Sequence, residues 1–175
     1  MMGQIQAWIE GTLAPVDVMD AHREGIRHRA VSIFVMDGEK LLLQKRSENC
    51  LQSPGLWSNT CCSHPDWGER PETCALRRLR EELGIEGLYP AHADRIEYRM
   101  DIGDGLVEHE VTDIYIAYAQ RGLTVNPDPE LVSETRWIGL YDLGAEVRRY
   151  PDRFSRWLRF YMQEHISRIL PALIC

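Results

Sequence analysis

Three stretches of the chain carry residues able to do acid/base or metal chemistry. The first is the segment 57–65, WSNTCCSHP, in which Cys61 and Cys62 stand just before His64. In an extended segment side chains alternate, so Cys62 and His64 share one side and Cys61 takes the other. A thiol beside a cation or a metal-bound group ionises near neutral pH, which makes Cys62 a candidate reactive thiolate. The competing account is a pair of small buried apolar residues. A structural zinc site is not indicated, because no second Cys/His pair at finger spacing follows. The second stretch is Glu108-His109-Glu110, inside a strand-like run. Period-two geometry puts both carboxylates on one face and His109 on the other. Such a pair either faces water, shares a proton or binds a cation. With His22, His28 and His64, the two glutamates make a donor set suited to Zn²⁺, Mn²⁺ or Mg²⁺, although spacing alone does not bring five ligands on separate segments together. The third stretch is a helix in which Arg77/Glu81 and Arg78/Glu82 are four apart. These are either helix salt bridges or a carboxylate holding Mg²⁺ on a diphosphate, with an arginine beside it.

The elements that must position these residues follow from periodicity. Residues 28–37 (HRAVSIFVMD) form a β-branched run of strand length, Asp37-Gly38 offers a turn, and 40–45 reads as the hairpin partner. Residues 53–66 hold two prolines and a glycine, which predicts a loop with short extended pieces. The spacing of Ala75, Leu76, Leu79 and Leu83 predicts a helix over 69–83, with Pro71 in its first turn and Gly84 just past its end. Strands are expected at 96–100, 107–118 and 136–138. The tail 152–170 reads as an amphipathic helix with Phe154, Trp157, Leu158 and Tyr161 at helical spacing. Strands interrupted by one helix and closed by another imply a mixed sheet covered by helices.

Length and charge bound the rest. The 175 residues fit one domain spanning 1–175, with neither repeats nor linkers in view. A net charge of −7 argues against nucleic acid or an anionic membrane as the main partner. Five cysteines (Cys50, Cys61, Cys62, Cys74 and Cys175) without framework spacing point to reduced thiols in the cytoplasm. The N-terminal residues lack a signal-peptide pattern, and no apolar run reaches the roughly 18 residues of a membrane span.

Taken together these residues resemble a known family. Residues 63–85, SHPDWGERPETCALRRLREELGI, look like a degenerate Nudix box: Glu69, Arg77, Glu81, Glu82, Gly84 and Ile85 match it, while Ser63 replaces its first Gly and Arg78 one of its Glu. That departure, with CCSHP and EHE, is similar to the type 1 isopentenyl-diphosphate delta-isomerases. AHREGIRHRAVSIFV, SPGLWSNTCCSHP, LVEHEV and SRWLRFY resemble the same family, so the likeness spans nearly the whole chain. It implies a Nudix-type α/β/α sandwich. It also implies isomerisation of isopentenyl diphosphate to dimethylallyl diphosphate by a 1,3-allylic proton shift.

The resemblance further implies Cys62 and Glu110 as the acid/base pair, helped by Tyr98. His22, His28, His64, Glu108 and Glu110 would bind one divalent metal, Mn²⁺, Zn²⁺ or Mg²⁺, and Glu82 the Mg²⁺ that arrives with the diphosphate. Arg46 and Arg78 match phosphate-contacting positions. Trp157 matches an aromatic near the developing carbocation, where the mechanism requires a dry site. The implied partner is a small prenyl diphosphate, bound by a monomer or weak dimer. Val18 and Cys50 stand where family members usually carry lysines that contact diphosphate, a loss that Lys45 or Arg23 would have to offset. Two alternatives stand beside this reading. One is a Nudix diphosphate hydrolase, whose row of glutamates Arg78 interrupts. The other is a non-catalytic relative that binds prenyl diphosphates, motivated by Val18 and Cys50.

Overall fold

The computed structural model describes residues 3–170, and Cys175 lies outside them. The described chain opens with a hairpin of β1 (Gln4–Ile9) and β2 (Thr12–Asp17), registered from Gln4↔Asp17 to Ile9↔Thr12. Its turn places Glu10 at φ 49° and Gly11 at φ 82°, the two positive values that a two-residue hairpin turn requires. Helix α1 (Val18–Glu24) follows at once. The Asp17 carboxylate caps it, accepting from the N–H groups of Met19 and Asp20 at 2.8 and 3.2 Å.

Strand β3 (His28–Asp37) is the one on which the others assemble. It runs parallel to β8 (Leu106–Tyr118), from His28↔Glu110 to Met36↔Tyr118. On its other edge it pairs antiparallel with β6 (Cys61–Ser63), and it meets β1 at Ala7↔His28. At its far end it turns into β4 (Lys40–Arg46) through Met36↔Leu41 and Asp37↔Lys40, the hairpin expected from the sequence. Strand β4 then pairs with β5 (Trp57–Ser58) and β9 (Val132–Gly139), while β7 (Ala91–Gly103) pairs with β8. The product is one mixed, nine-stranded sheet.

Alternation along β3 and β4 divides the core. Val31, Ile33, Val35 and Leu42 pack with Cys74, Ala75, Leu79 and Leu83 of α2 (Pro71–Leu83). Phe34, Met36, Leu41 and Leu43 turn the other way, toward Leu143 and Val147 of α3 (Leu140–Arg149) and toward Trp157, Leu158 and Tyr161. Helices therefore cover both faces of the sheet, as an α/β/α sandwich requires.

Several boundaries differ from the sequence reading. Helix α2 starts at Pro71 rather than 69, because Glu69 is drawn out to accept from the backbone N–H of Asp66 and to pair with Arg77. It ends at Gly84, φ 60°, where any Cβ would come within 2.7 Å of the Asn126 carbonyl oxygen. Leu76 is 49% exposed rather than part of the buried stripe, since the Ala75–Leu79–Leu83 row lies on the sheet and Leu76 leans off its side. The strands expected at 96–100 and 136–138 extend to the full lengths of β7 and β9. The tail is not one helix. A 3₁₀ turn (Pro151–Arg153) gives way to an extended Phe154, and Ser155 donates its backbone N–H to the Trp57 carbonyl. Then come α4 (Arg156–Phe160), a π-helical turn (Tyr161–His165) and α5 (Ile166–Ile169).

Leu79→Ala is expected to lower unfolding free energy by about 2–5 kcal/mol in denaturant titrations. Leu76→Ala should stay within about 0.5 kcal/mol of the parent. Equal losses would contradict this placement of α2.

Candidate active site

Four segments deliver ligand-type side chains to one face of the sheet. His22 comes from α1, His28 opens β3, His64 follows β6, and Glu110 lies opposite His28 on β8. The three imidazole centroids are 4.7 to 5.0 Å apart, and the ligand atoms of all four residues lie within 4.8 Å of one another. Two backbone carbonyls set the rings. His22 Nδ1 lies 2.6 Å from the Val18 oxygen and His28 Nδ1 lies 2.7 Å from the Ile26 oxygen, so each Nδ1–H is donated there. The Nε2 atoms of both rings are buried without a hydrogen-bond partner. Burial, with the neighbouring His64 and His28, lowers the His22 pKa to about 4, and burial likewise lowers that of His64. Two unpartnered imidazole nitrogens thus face one point beside His64 and the Glu110 carboxylate. That is the donor set of a divalent metal site, and these residues could hold such an ion.

Burial pushes the Glu110 carboxyl up, but the nearby His28 ring, 3.6 Å away, and the hydrogen-bonded His64 bring it well below the usual carboxylate range. Its Oε1 lies 3.0 Å from His64 Nε2, and its Oε2 accepts from Tyr98 Oη at 2.7 Å and from Thr112 Oγ1 at 3.2 Å. Glu108 shares this face but stands outside the four-residue group. Its carboxylate accepts from Tyr98 Oη at 3.5 Å, and burial followed by the charge of Glu110 pushes its pKa up. His109 points the other way, as alternation predicted, with Nε2 3.7 Å from Glu97.

Cys62 also faces this side, opposite Ser32 on β3, while Cys61 is fully buried under α2. The expected thiolate is corrected here. Burial, opposed by the Ser32 hydrogen bond, pushes the Cys62 thiol up to about 12. Its Sγ sits 3.1 Å from both Ser32 Oγ and Asn59 Oδ1, and the charges it senses are the carboxylates of Glu110 and Glu108. Packed beside it is an aromatic cluster that the sequence reading reached only through Trp157 and Tyr98. Tyr161, placed by the π-turn, has its hydroxyl 3.4 Å from that of Tyr98. Trp157 is buried, donates Nε1–H to Ser58 Oγ at 2.7 Å, and carries the Arg46 guanidinium 5.6 Å from its ring centroid. Ser32, Asn59 and Tyr161 were not singled out in the sequence; only the length and β-branching of β3 and the aromatic spacing in the tail hinted at them.

A cleft of about 540 Å³ opens onto Cys62 and His64. Arg46, Arg78 and Glu82 line it, and so do Val18 and Cys50. Glu110, Tyr98 and Trp157 lie behind this surface rather than on it. The Arg78 guanidinium holds Glu82 at 2.6 and 3.0 Å, and Gln44 donates to the same carboxylate at 2.9 Å. Arg77 faces Glu69 and Glu81 instead. Lys45 is paired with Glu134 at 3.1 Å and Arg23 with Asp20 at 3.7 Å, and neither lines the cleft.

The family model for the NUDIX domain matches residues 26–158. A solved structure, DR0079 from Deinococcus radiodurans, superposes with a TM-score of 0.72 at 16% identity, covering 91% of this chain and 96% of that one, a likeness of fold. The class is that of NUDIX-fold proteins. An isopentenyl-diphosphate Delta-isomerase of Cereibacter sphaeroides is 56% identical over 173 residues, covering 99% of this chain and 98% of that protein. Another, of Dinoroseobacter shibae, is 56% identical over 169 residues, covering 97% and 96%. The chain belongs to the isopentenyl-diphosphate Delta-isomerase family.

The lowered His22 pKa links stability to pH. Its folded value of about 4 lies below the ordinary 6.5, so the unfolded chain binds more protons between these values. Stability is therefore complete above pH 6.5 and falls as pH drops toward 4. In metal-free protein the loss should reach about 3 kcal/mol, read from urea midpoints, and His22→Gln should flatten that slope.

Proposed function

We propose that this protein converts isopentenyl diphosphate to dimethylallyl diphosphate, with Cys62 as the acid and Glu110 as the base. The observation that carries this reading is the placement of the Cys62 thiol and the Glu110 carboxylate on one face of the sheet beside packed aromatic side chains, with burial raising the thiol pKa and the histidines lowering that of the carboxyl. The terminal carbon of the alkene takes the proton of Cys62 with the π electrons, leaving a tertiary carbocation and a thiolate. Glu110, oriented by Tyr98, accepts a proton from the adjacent carbon, and those C–H electrons close the new double bond. The indole of Trp157 faces the cation, at about 2 kcal/mol when desolvated. Arg46 and Arg78 hold the diphosphate and so place the hydrocarbon end. A divalent ion held by His22, His28, His64 and Glu110, with Glu108 beside them, would keep Glu110 ionised. Glu82 is the carboxylate for Mg²⁺ brought in on the diphosphate, and Mn²⁺, Zn²⁺ or Mg²⁺ suits the His/Glu donors.

We extend the proposal to the whole molecule. Residues 1–175 act as one NUDIX-fold isomerase domain, a monomer or weak dimer in the cytoplasm, without a nucleic-acid or membrane partner. The free thiols of Cys50, Cys61, Cys62 and Cys74 and the net charge of −7 support this. No helix among the described residues is long and apolar enough to cross a membrane. The hydrolase reading is disfavoured by Arg78, which sits among the helix glutamates and neutralises Glu82.

In D₂O the enzyme should exchange substrate protons for deuterium, followed by NMR. Cys62→Ala and Glu110→Gln should each lower that rate by at least about 10²-fold. Exchange surviving in both variants would reject the acid/base pair. A non-catalytic binder would show no exchange even in the parent chain. Val18 and Cys50 leave the cleft without lysines, so a weak affinity for the substrate is expected. Val18→Lys and Cys50→Lys together should lower KM by about 10²–10⁴-fold, and a micromolar KM in the parent chain would contradict this.

A further inference from the structure

Asn59 is fully buried, and both ends of its amide are engaged. Its Nδ2 donates to Ser32 Oγ at 2.9 Å, to the Ile33 carbonyl at 3.0 Å and to the Cys61 carbonyl at 3.4 Å. Carbonyls only accept, so the amide can point in one sense. Its Oδ1 then faces two donors, the Cys62 thiol at 3.1 Å and the Ser58 hydroxyl at 3.3 Å. The Ser32 hydroxyl accepts from Asn59 and turns its own hydrogen toward Cys62 Sγ at 3.1 Å. Amide to serine, serine to sulfur, and sulfur back to amide form a closed ring in which each bond polarises the next. A second arm leaves through Ser58, whose oxygen receives the indole N–H of Trp157 at 2.7 Å.

We infer that Asn59 is the positioning residue of the proton-donating half-site, one buried amide that fixes the Cys62 sulfur and the Trp157 indole relative to each other. The inference rests on reading Cys62 as the acid. Asn59 acts on turnover only through its neighbours. In the resting ring the thiol proton lies on the amide oxygen and the serine hydrogen lies on sulfur. When the thiol protonates the alkene, sulfur keeps the oriented Ser32 hydroxyl as a donor to its new charge. The amide oxygen meanwhile retains Ser58, so the indole stays in place. Without the amide, the sulfur loses one hydrogen bond and Ser58, which holds the indole, loses its own partner, while the Arg78–Glu82 pair of the cleft is untouched. A small displacement at the reacting atoms then lowers turnover without weakening binding.

Raman spectra of the full-length protein give a readout independent of turnover, with Cys62→Ala assigning the S–H stretch of that thiol. Asn59→Ala should move this band to higher frequency, leave those of Cys61 and Cys74 in place, and lower kcat about 100-fold with KM within about threefold. An unmoved band, or a loss confined to KM, overturns the inference. Should Asn59→Ala not fold, Ser32→Ala opens the ring by removing one oxygen. It should lower kcat about tenfold, and an unchanged kcat overturns the inference equally. Turnover retained by Cys62→Ala sinks the acid assignment and this inference with it. A normal Cys62→Ala loss with an unmoved band sinks the inference alone.

Discussion

Two imidazole nitrogens, Nε2 of His22 and Nε2 of His28, are sealed from water without a partner, beside the Glu110 carboxylate, whose pKa His28 and His64 hold well below the usual range. Lone pairs facing one another in a dry pocket repel, and each buried acceptor left unmet costs about 1–3 kcal/mol. A cation at their centre reverses the sign of that interaction. The fold is arranged around this constraint. The α1 cap by Asp17, the Gly25 exit and the Ala7↔His28 bridge bring His22 over the start of β3. The parallel pairing of β3 with β8 sets Glu110 opposite His28, and the short β6 strand brings His64 in from the other edge. Because each donor arrives on a different element, the cluster exists only when the whole sheet is formed. Any affinity of this cluster for a metal would therefore be coupled to folding.

On the same sheet face, environment widens a difference in proton affinity that residue type already sets. A thiol ordinarily loses its proton far less readily than a carboxylic acid, and the fold widens that gap. At Cys62 burial, added to by the nearby carboxylate charge, outweighs the hydrogen bonds of Ser32 and Asn59 and raises the thiol pKa. Glu110 suffers comparable burial but has two imidazoles and two hydroxyls as partners. Environments that drive two titratable groups apart in this way are what a general acid and a general base at neutral pH require.

Much of this was legible in the sequence, and the misses have physical causes. Strands β3, β4 and β8 are long, β-branched and alternating, and helix α2 has both a proline start and a glycine stop; such elements announce themselves locally. Alternation alone placed Cys62 with His64, and Glu108 with Glu110. The β1–β2 hairpin, α1 and α3 went unread. Residues 12–17 carry a proline and little alternation, and α1 has only seven residues. Their stability comes from the bridge to β3 and from caps, which are tertiary. The thiolate expectation failed for a related reason, because spacing shows which residues are near but not which charges surround them. Glu108 was grouped with the ligands by face, whereas its carboxylate lies outside the four-residue cluster.

The cleft carries the last consequence. Its cationic side chains, Arg46 and Arg78, are both committed in the structure, Arg46 to the Gln52 carbonyl at 2.6 Å and Arg78 to Glu82. Val18 and Cys50 add no charge to the opposing wall. A diphosphate entering this space meets one carboxylate already neutralised by the arginine that would grip it. If Glu82 held Mg²⁺, the ion would supply the positive charge that Arg78 now supplies, and the Arg78 guanidinium would be available to phosphate oxygens. Gln44 keeps the second Glu82 oxygen in place through the exchange, so the carboxylate need not reorient. The helix salt bridge and the diphosphate site are then two states of one pair of residues. The resting pair spares Glu82, buried to within 4% of its surface, from standing as an uncompensated charge before substrate arrives.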